Sequence, residues 1–307
     1  MRCKKIFLVA LVVAMTWLQQ SSVARGDQRA STEVFARKNL VAWCIVPFDA
    51  KKRTPQQRAE MLEKMGIRRF AYDWRSEHLP TFEEELGALK RHNIELTAVW
   101  FPAELNADAR VLLEGIKRHD LRPQLWVTTQ INPQAEAGKN VALTAGMIRP
   151  IAVEAGKLKC SVALYNHGGW FGEPENQIAI IELLKKEGIG NVGMVYNLHH
   201  GHEHVERFAE LLGKMKPHLL ALNLNGMVKN GEKVGKKIMP IGQGEMDLGL
   251  LKTICDSGYT GPIGILNHTD EDAEGRLIDN LEGLEWMVAQ LDGKAPGAAP
   301  RPRTYRP

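Results

Sequence analysis

A chain of 307 residues, 44% hydrophobic and 25% charged, can bury a sizeable core, which excludes a disordered polymer for the bulk of it. The formal charge of +4 falls to +1 without residues 1–24, because Arg2, Lys4 and Lys5 lie there and no acid does. The remainder has no dense basic face for nucleic acid: Arg301, Arg303 and Arg306 cluster only in a Pro-rich tail, 294–307, that reads as disordered.

The chain opens with the basic stretch Met1-Arg2-Cys3-Lys4-Lys5, then an apolar run from Ile6 to Leu18 that is short for a membrane span, then Ser22-Val23-Ala24. This order predicts a signal peptide cut after Ala24 and export to the periplasm or the exterior, with no span left in the mature protein. Residues 25–38 read as a flexible lead-in. Cys44, Cys160 and Cys255, odd in number and set in apolar contexts, read as small buried hydrophobes rather than a disulfide framework.

From Leu40 onwards apolar strand-like runs alternate with amphipathic helical ones. The strands are expected at 40–46, 69–73, 95–101, 124–129, 161–165, 192–197, 219–225 and 262–266, and the helices at 54–65, 81–92, 107–119, 139–156, 175–187, 203–215, 248–257 and 272–291. Thr81-Phe82-Glu83-Glu84 has the form of a capping box, Asp247 that of a helix cap, and Gly66 and Gly258 stand where helices should stop. Eight βα units in one domain, 39–293, predict an α/β fold, the (β/α)8 TIM barrel. No G-x-G-x-x-G follows the first strand, so no nucleotide cofactor is expected.

In such a barrel the site lies at the C-terminal strand ends, and position alone then selects candidates. Asp73, Trp74, Arg75, Glu77 and His78 follow the second strand; Trp100, Phe101 and Glu104 close the third; Tyr165, His167, Trp170 and Glu173 follow the fifth. Asn197 begins Asn197-Leu198-His199-His200-Gly201-His202-Glu203-His204 after the sixth, and Asn223, Asn225, Asn267 and His268 follow the last two. Aromatic faces, amides and imidazoles with few fixed charges suit a small carbohydrate. Each group also has a structural reading: His204 inside a helix, Glu77 and His78 in a loop before a cap, Trp100, Phe101 and Trp170 in the core.

Met65-Gly66-Ile67 leading to Phe70, Pro80-Thr81-Phe82-Glu83-Glu84-Glu85, Asn166-His167-Gly168-Gly169, Asn197 with His200, and Gly242-Gln243-Gly244-Glu245-Met246-Asp247 occur in an order that resembles the xylose isomerase-like TIM barrels, the sugar phosphate isomerase/epimerase-like family. Asn197-Leu198-His199-His200-Gly201-His202 and Ile265-Leu266-Asn267-His268-Thr269 look like a secreted planctomycete-type branch of it. The resemblance implies a divalent metal held by carboxylates and histidine after strands five to eight. Here those positions hold Tyr165, Asn197, Asn223 and Asn267, which would bind a hard divalent cation poorly. A zinc or iron site from His167, His200 and His268 with Glu77 or Glu173 is the remaining metal reading.

Two functions follow. One is an exported isomerase, epimerase or lyase acting on a keto-sugar by proton abstraction, with His167, His200, Glu77 and Glu173 as candidate catalysts and Arg75, His78, Trp100, Tyr165, Asn197, His199, Asn223, Asn225, Asn267 and His268 as substrate contacts. The other is a non-catalytic barrel that binds carbohydrate or scaffolds a partner.

Overall fold

The structure, a computed structural model, describes residues 32–304; the expected signal peptide and its cleavage site lie outside the described residues. Eight parallel strands close into one barrel in sequence order: β1 (Leu40–Trp43), β2 (Arg69–Tyr72), β3 (Glu95–Phe101), β4 (Gln124–Val127), β5 (Ser161–Tyr165), β6 (Val192–Asn197), β7 (Leu219–Leu224) and β8 (Ile263–Leu266). β8 pairs back onto β1, with Trp43 opposite Leu266. The helices that cover the barrel are α1 (Pro55–Lys64), α2 (Phe82–Arg91), α3 (Ala107–Arg118), α4 (Ala137–Lys157), α5 (Pro174–Lys186), α6 (Phe208–Met215), α7 (Asp247–Asp256) and α8 (Ala273–Leu291). This is the single-domain (β/α)8 barrel that the alternation of elements predicts. No helix of the described residues is long and apolar enough to cross a membrane.

Local chemistry starts and stops these helices. Thr54 accepts from the Gln57 backbone while Gln57 answers at the Thr54 N–H, with Pro55 in the first helical position of α1. Asn106 and Asp272 cap α3 and α8 in the same sense. Gly66 and Gly258 follow α1 and α7 at φ of +69° and +68°, the left-handed stop that glycine adopts without strain.

Four expectations fail locally, each for a visible reason. Thr81 does not cap α2; the chain enters that helix from a 3-10 turn, Ser76–Thr81, and the Thr81 hydroxyl donates to the His78 carbonyl instead. Asp247 is the first residue of α7 rather than its cap, and its carboxylate accepts from the N–H groups of Met227, Gly242 and Gly244, so it ties together both ends of the β7–α7 connection. Residues 294–304, read as disordered, lie along α8: Arg303 pairs with Asp279 and Glu282, and Trp286 and Gln243 donate to the carbonyls of Gly297 and Pro300. The lead-in before β1 carries two 3-10 turns, with Val34 and Phe35 buried in the outer core. Cys44, Cys160 and Cys255, the cysteines of the described residues, are free and buried.

Two cores result from the period-2 alternation along each strand. The outer one fills the space between strands and helices. The inner one plugs the barrel with Val41, Trp43, Ala71, Ala98, Trp126, Ala163, Tyr165, Val195, Ala221 and Leu266. Small wall residues there make room for large rings, and Gly264 makes room for an amide: a Cβ on it would meet Asn223 Oδ1 at 1.8 Å. Gly264→Ala is therefore expected to lower stability by about 1–3 kcal/mol. Adding Asn223→Ala to that variant should restore part of the loss, and an unchanged Tm for Gly264→Ala alone would contradict this packing.

Candidate functional site

The inward residues at the strand ends build the site in layers. Trp43 on β1, Trp100 on β3, Trp126 on β4 and Tyr165 on β5 form an aromatic floor: Trp43 meets Trp126 edge-on at 4.7 Å and Trp100 meets Tyr165 at 4.9 Å between ring centres. The Trp126 N–H donates to Gln124, whose amide is in turn tied to the Leu220 carbonyl, so the polar edge of Trp126 is satisfied, whereas the buried Trp43 N–H has no acceptor among the described residues. On this floor stand imidazoles from three strand ends. His167 lies 6.2 Å from Tyr165, and His200, on the 3-10 turn Leu198–His200 that follows β6, lies 5.9 Å from it. The rings of His167 and His200 are 4.4 Å apart, those of His200 and His199 3.8 Å, and those of His199 and His268 6.1 Å. Phe48, in the β1–α1 connection, stacks on His268 at 3.8 Å and carries the Arg75 guanidinium on the ring at 5.3 Å.

Burial sets the protonation of this cluster. His200 is pushed down to about 3 and His268 to about 4; His199 falls well below the ordinary range and His167 shifts the same way. In each case the loss of solvent is the first cause. Neighbouring imidazoles and the positive charge of Lys237, in the β7–α7 connection, push His199, His200 and His268 further, and Lys237 acts on His167 too. At neutral pH these are neutral rings, each able to donate from one nitrogen and accept at the other. His199 is 2% exposed, and neither of its ring nitrogens has a hydrogen-bond partner. The carboxyl of Asp73, just past β2, lies deeper: Oδ1 accepts from the Val46 N–H, and burial raises the group to about 7. Burial and the charge of Asp73 together hold the Cys44 thiol in its protonated form.

Other candidates are occupied in holding the barrel together. The Asn166 amide oxygen accepts from the N–H and the amide of Asn197, and the Asn223 amide donates to Asn197 Oδ1 at 2.6 Å, so an amide ladder links the ends of β5, β6 and β7. Asn267 donates to the Ala273 carbonyl and its Oδ1 accepts from Asn280. Asn225 and His202 both bond the Lys237 carbonyl, which fixes the β7–α7 connection against the mouth. Asn223 Oδ1 and Asn225 Oδ1 remain buried without a donor.

Glu173 is bonded to His204, which reaches Tyr196 on the outer face of β6, so both belong to the wall and not to the imidazole cluster. Glu77 is exposed on the turn before α2, where its charge acts on His78. His78 accepts the Arg75 N–H and thereby sets the Arg75 backbone. Phe101 is fully buried in the outer core, Trp170 packs against it, and Glu104 is exposed. Sequence reasoning missed Phe48 and Lys237: one lies between strand and helix, the other in a connection whose course over the mouth no periodicity reveals.

Tyr165 is held as a neutral phenol by burial, Asn197 and Asn223 are used in the ladder, and Asn267 is used at the start of α8. The four positions where the resemblance places metal ligands thus offer a hard divalent cation no charged oxygen, and they do not fit one. Among the described residues no three His, Cys, Asp or Glu side chains gather into a group that could hold a metal, so the expected set of His167, His200 and His268 with Glu77 or Glu173 is not assembled.

The sequence matches no protein-family model and no curated protein. Among solved structures it is similar to 3-keto-D-glucoside 4-epimerase from E. coli, at 12% identity and a TM-score of 0.57 over 81% of this chain and 98% of that one. It is also similar to a xylose isomerase domain protein from Planctomyces limnophilus (13%, TM-score 0.58, 83% and 98%) and to D-psicose 3-epimerase crystallised in the presence of D-fructose (15%, 0.54, 84% and 95%). The protein is thus a (β/α)8 barrel with a neutral imidazole cluster at its mouth. Its structural neighbours are xylose isomerase-like TIM barrel proteins and sugar epimerases, and its fold is theirs.

The imidazoles predict a pH dependence with a definite sign. Their folded-state values lie below the unfolded one near 6.5, so between about pH 4 and pH 6.5 the unfolded chain binds more protons and stability rises with pH. Between pH 6.5 and pH 5 each such histidine should lower the unfolding free energy by up to about 1.4 kcal/mol per pH unit, and Tm with it, an effect that Asp73 and Asp247, raised by burial to about 7, offset in part. His268→Gln should flatten that slope; a slope unchanged by the substitution would place the titrating group elsewhere.

Proposed function

We propose that this chain is an exported enzyme that isomerises or epimerises a keto-sugar through proton abstraction next to the carbonyl, with no divalent metal in the proton-transfer step. The observation that carries the reading is the pair of neutral imidazoles, His167 and His200, 4.4 Å apart above a Trp43–Trp100–Tyr165 floor on which a sugar's C–H face can rest. The epimerase and isomerase neighbours support the same class.

Burial divides the roles. A base as weak as His200, near 3, removes a carbon-bound proton poorly, but its N–H stays in place to donate to a developing enediolate oxygen. His167, on the exposed side of the pair, takes the proton from the carbon and returns it to the other face or to the neighbouring carbon. The Tyr165 hydroxyl, held protonated, is a second donor. Export rests on the run from Met1 to Ala24, and N-terminal sequencing of the mature protein should begin near Arg25.

The Asn166–Asn197–Asn223 ladder favours a second reading, a barrel that has turned its ligand positions into structure and binds carbohydrate without turnover. Deuterium exchange separates the two. Purified mature protein in D2O should wash deuterium into the carbon beside the carbonyl of a keto-sugar, chosen from a panel of ketohexoses and 3-keto-glucosides. His167→Ala should reduce that exchange at least about a hundredfold while Tm stays nearly constant, and His200→Ala should reduce it similarly. Binding without exchange in the unmodified protein would establish the binding barrel instead.

A further inference from the structure

We propose that the sugar taken at this mouth carries a carboxylate, held by the guanidinium of Arg75; the inference rests on the reading of the mouth as a sugar site. Arg75 follows β2 in extended backbone conformation, and its N–H donates to His78 Nδ1. Both Nη1 hydrogens are engaged, one with the Asp73 carbonyl and one with the Trp74 carbonyl, each at 2.8 Å. The guanidinium face rests on Phe48, whose other neighbour is His268. Three anchors thus fix its position and plane. Of five N–H donors, the Nε and Nη2 edge is left over, and two parallel donors on one edge match the two oxygens of a planar carboxylate.

Among the described residues no side chain or carbonyl takes that edge. Arg53 and Arg58, in the neighbouring connection and helix, pair with Asp49 and Asp272 and with Glu85, whereas Arg75 pairs with no carboxylate among the described residues. Lys237 adds a second positive charge from the β7–α7 connection. The acids nearby do not cancel both. Asp73 is buried beneath the mouth, Glu232 is engaged by Lys237 at 2.5 Å, and Asp270 acts on His268 from the β8 end. Burial first, and then the charges of Arg75 and Lys237, lower the basicity of His268, with Asp270 acting the other way. A phosphate ester would need a third donor, and the Lys237 ammonium already serves Glu232. One fork favours the carboxylate.

Titration calorimetry at pH 7 with D-glucuronate, D-galacturonate and D-mannuronate, each beside its neutral parent sugar and its 6-phosphate, tests this. At least one uronate should bind the unmodified protein about tenfold or more tightly than its parent, the factor expected of a charge-assisted pair. Arg75→Gln should abolish the preference, and Arg75→Lys, charged but without a fork, should restore only part of it. Equal binding of acid and parent, no binding of any uronate, a preference that survives Arg75→Gln, or tighter binding of the 6-phosphate would each overturn the proposal. Deuterium exchange on a neutral keto-sugar by the unmodified protein, together with no preference for any uronate, would show the enzymatic reading standing while this one falls; uronate preference lost in Arg75→Gln without exchange on any sugar would show the reverse.

Discussion

A closed eight-stranded barrel must fill its own interior, and here four rings do most of that. Trp43, Trp100, Trp126 and Tyr165 come from β1, β3, β4 and β5, and β2, β3, β5 and β7 supply Ala71, Ala98, Ala163 and Ala221. The interior is therefore filled asymmetrically, with large rings set against small residues, and β3 and β5 carry both. This asymmetry decides what can stand above. The rings, edge-on or tilted to one another, leave an apolar floor under the mouth, against which the polar residues at the ends of β6, β7 and β8 find few partners. They bond sideways to one another or upward to the connections.

The amide ladder is the sideways solution. Asn166, Asn197 and Asn223 each use the neighbour's oxygen or N–H, so three strand ends that would otherwise present buried, unpaired amides become one hydrogen-bonded row. A carboxylate at Asn197 or Asn223 could not join this row, because it has no N–H to donate onward. The neutral side chains of Asn197 and Asn223 and the ladder they form are thus a single structural feature. The imidazoles could not be absorbed in this way. They remain above the floor, shielded from solvent, and their own crowding with Lys237 keeps them neutral.

Much of the fold was legible in the sequence because each βα unit has its own signals, a run of apolar residues and a capped amphipathic helix. Strand ends were placed within a few residues, and His167, His200, Tyr165 and Trp100 were selected simply by following their strands. What failed depends on partners distant in sequence. Glu173 looked like a mouth residue until His204, thirty-one positions on, was seen to take its carboxylate behind Tyr196. The tail from Lys294 has the composition of a disordered segment, yet Asp279 and Glu282 on α8 supply the counter-charges that hold Arg303. Phe48 and Lys237 belong to connections, whose paths are set by single contacts such as the Lys237 carbonyl with His202 and not by any repeating pattern.

The distribution of charge around the mouth follows from the same two constraints. With the strand-end carboxylates replaced by amides, the acid close beneath the mouth is Asp73, and burial raises it to about 7. At the rim, Lys237 is paired with Glu232 and Asp270 acts on His268, whereas Arg75, oriented by two carbonyls and a ring, has no carboxylate partner among the described residues. A neutral keto-sugar gains little from that field, whereas an anion bound at the rim would raise the basicity of His167 and His268 as it docks, because it offsets the charges that depress them. Ligand charge and acid–base strength would be coupled through Arg75 and Lys237: an anion held there offsets their contribution to the depressed basicity of the rings, while the loss of solvent, the larger cause, remains.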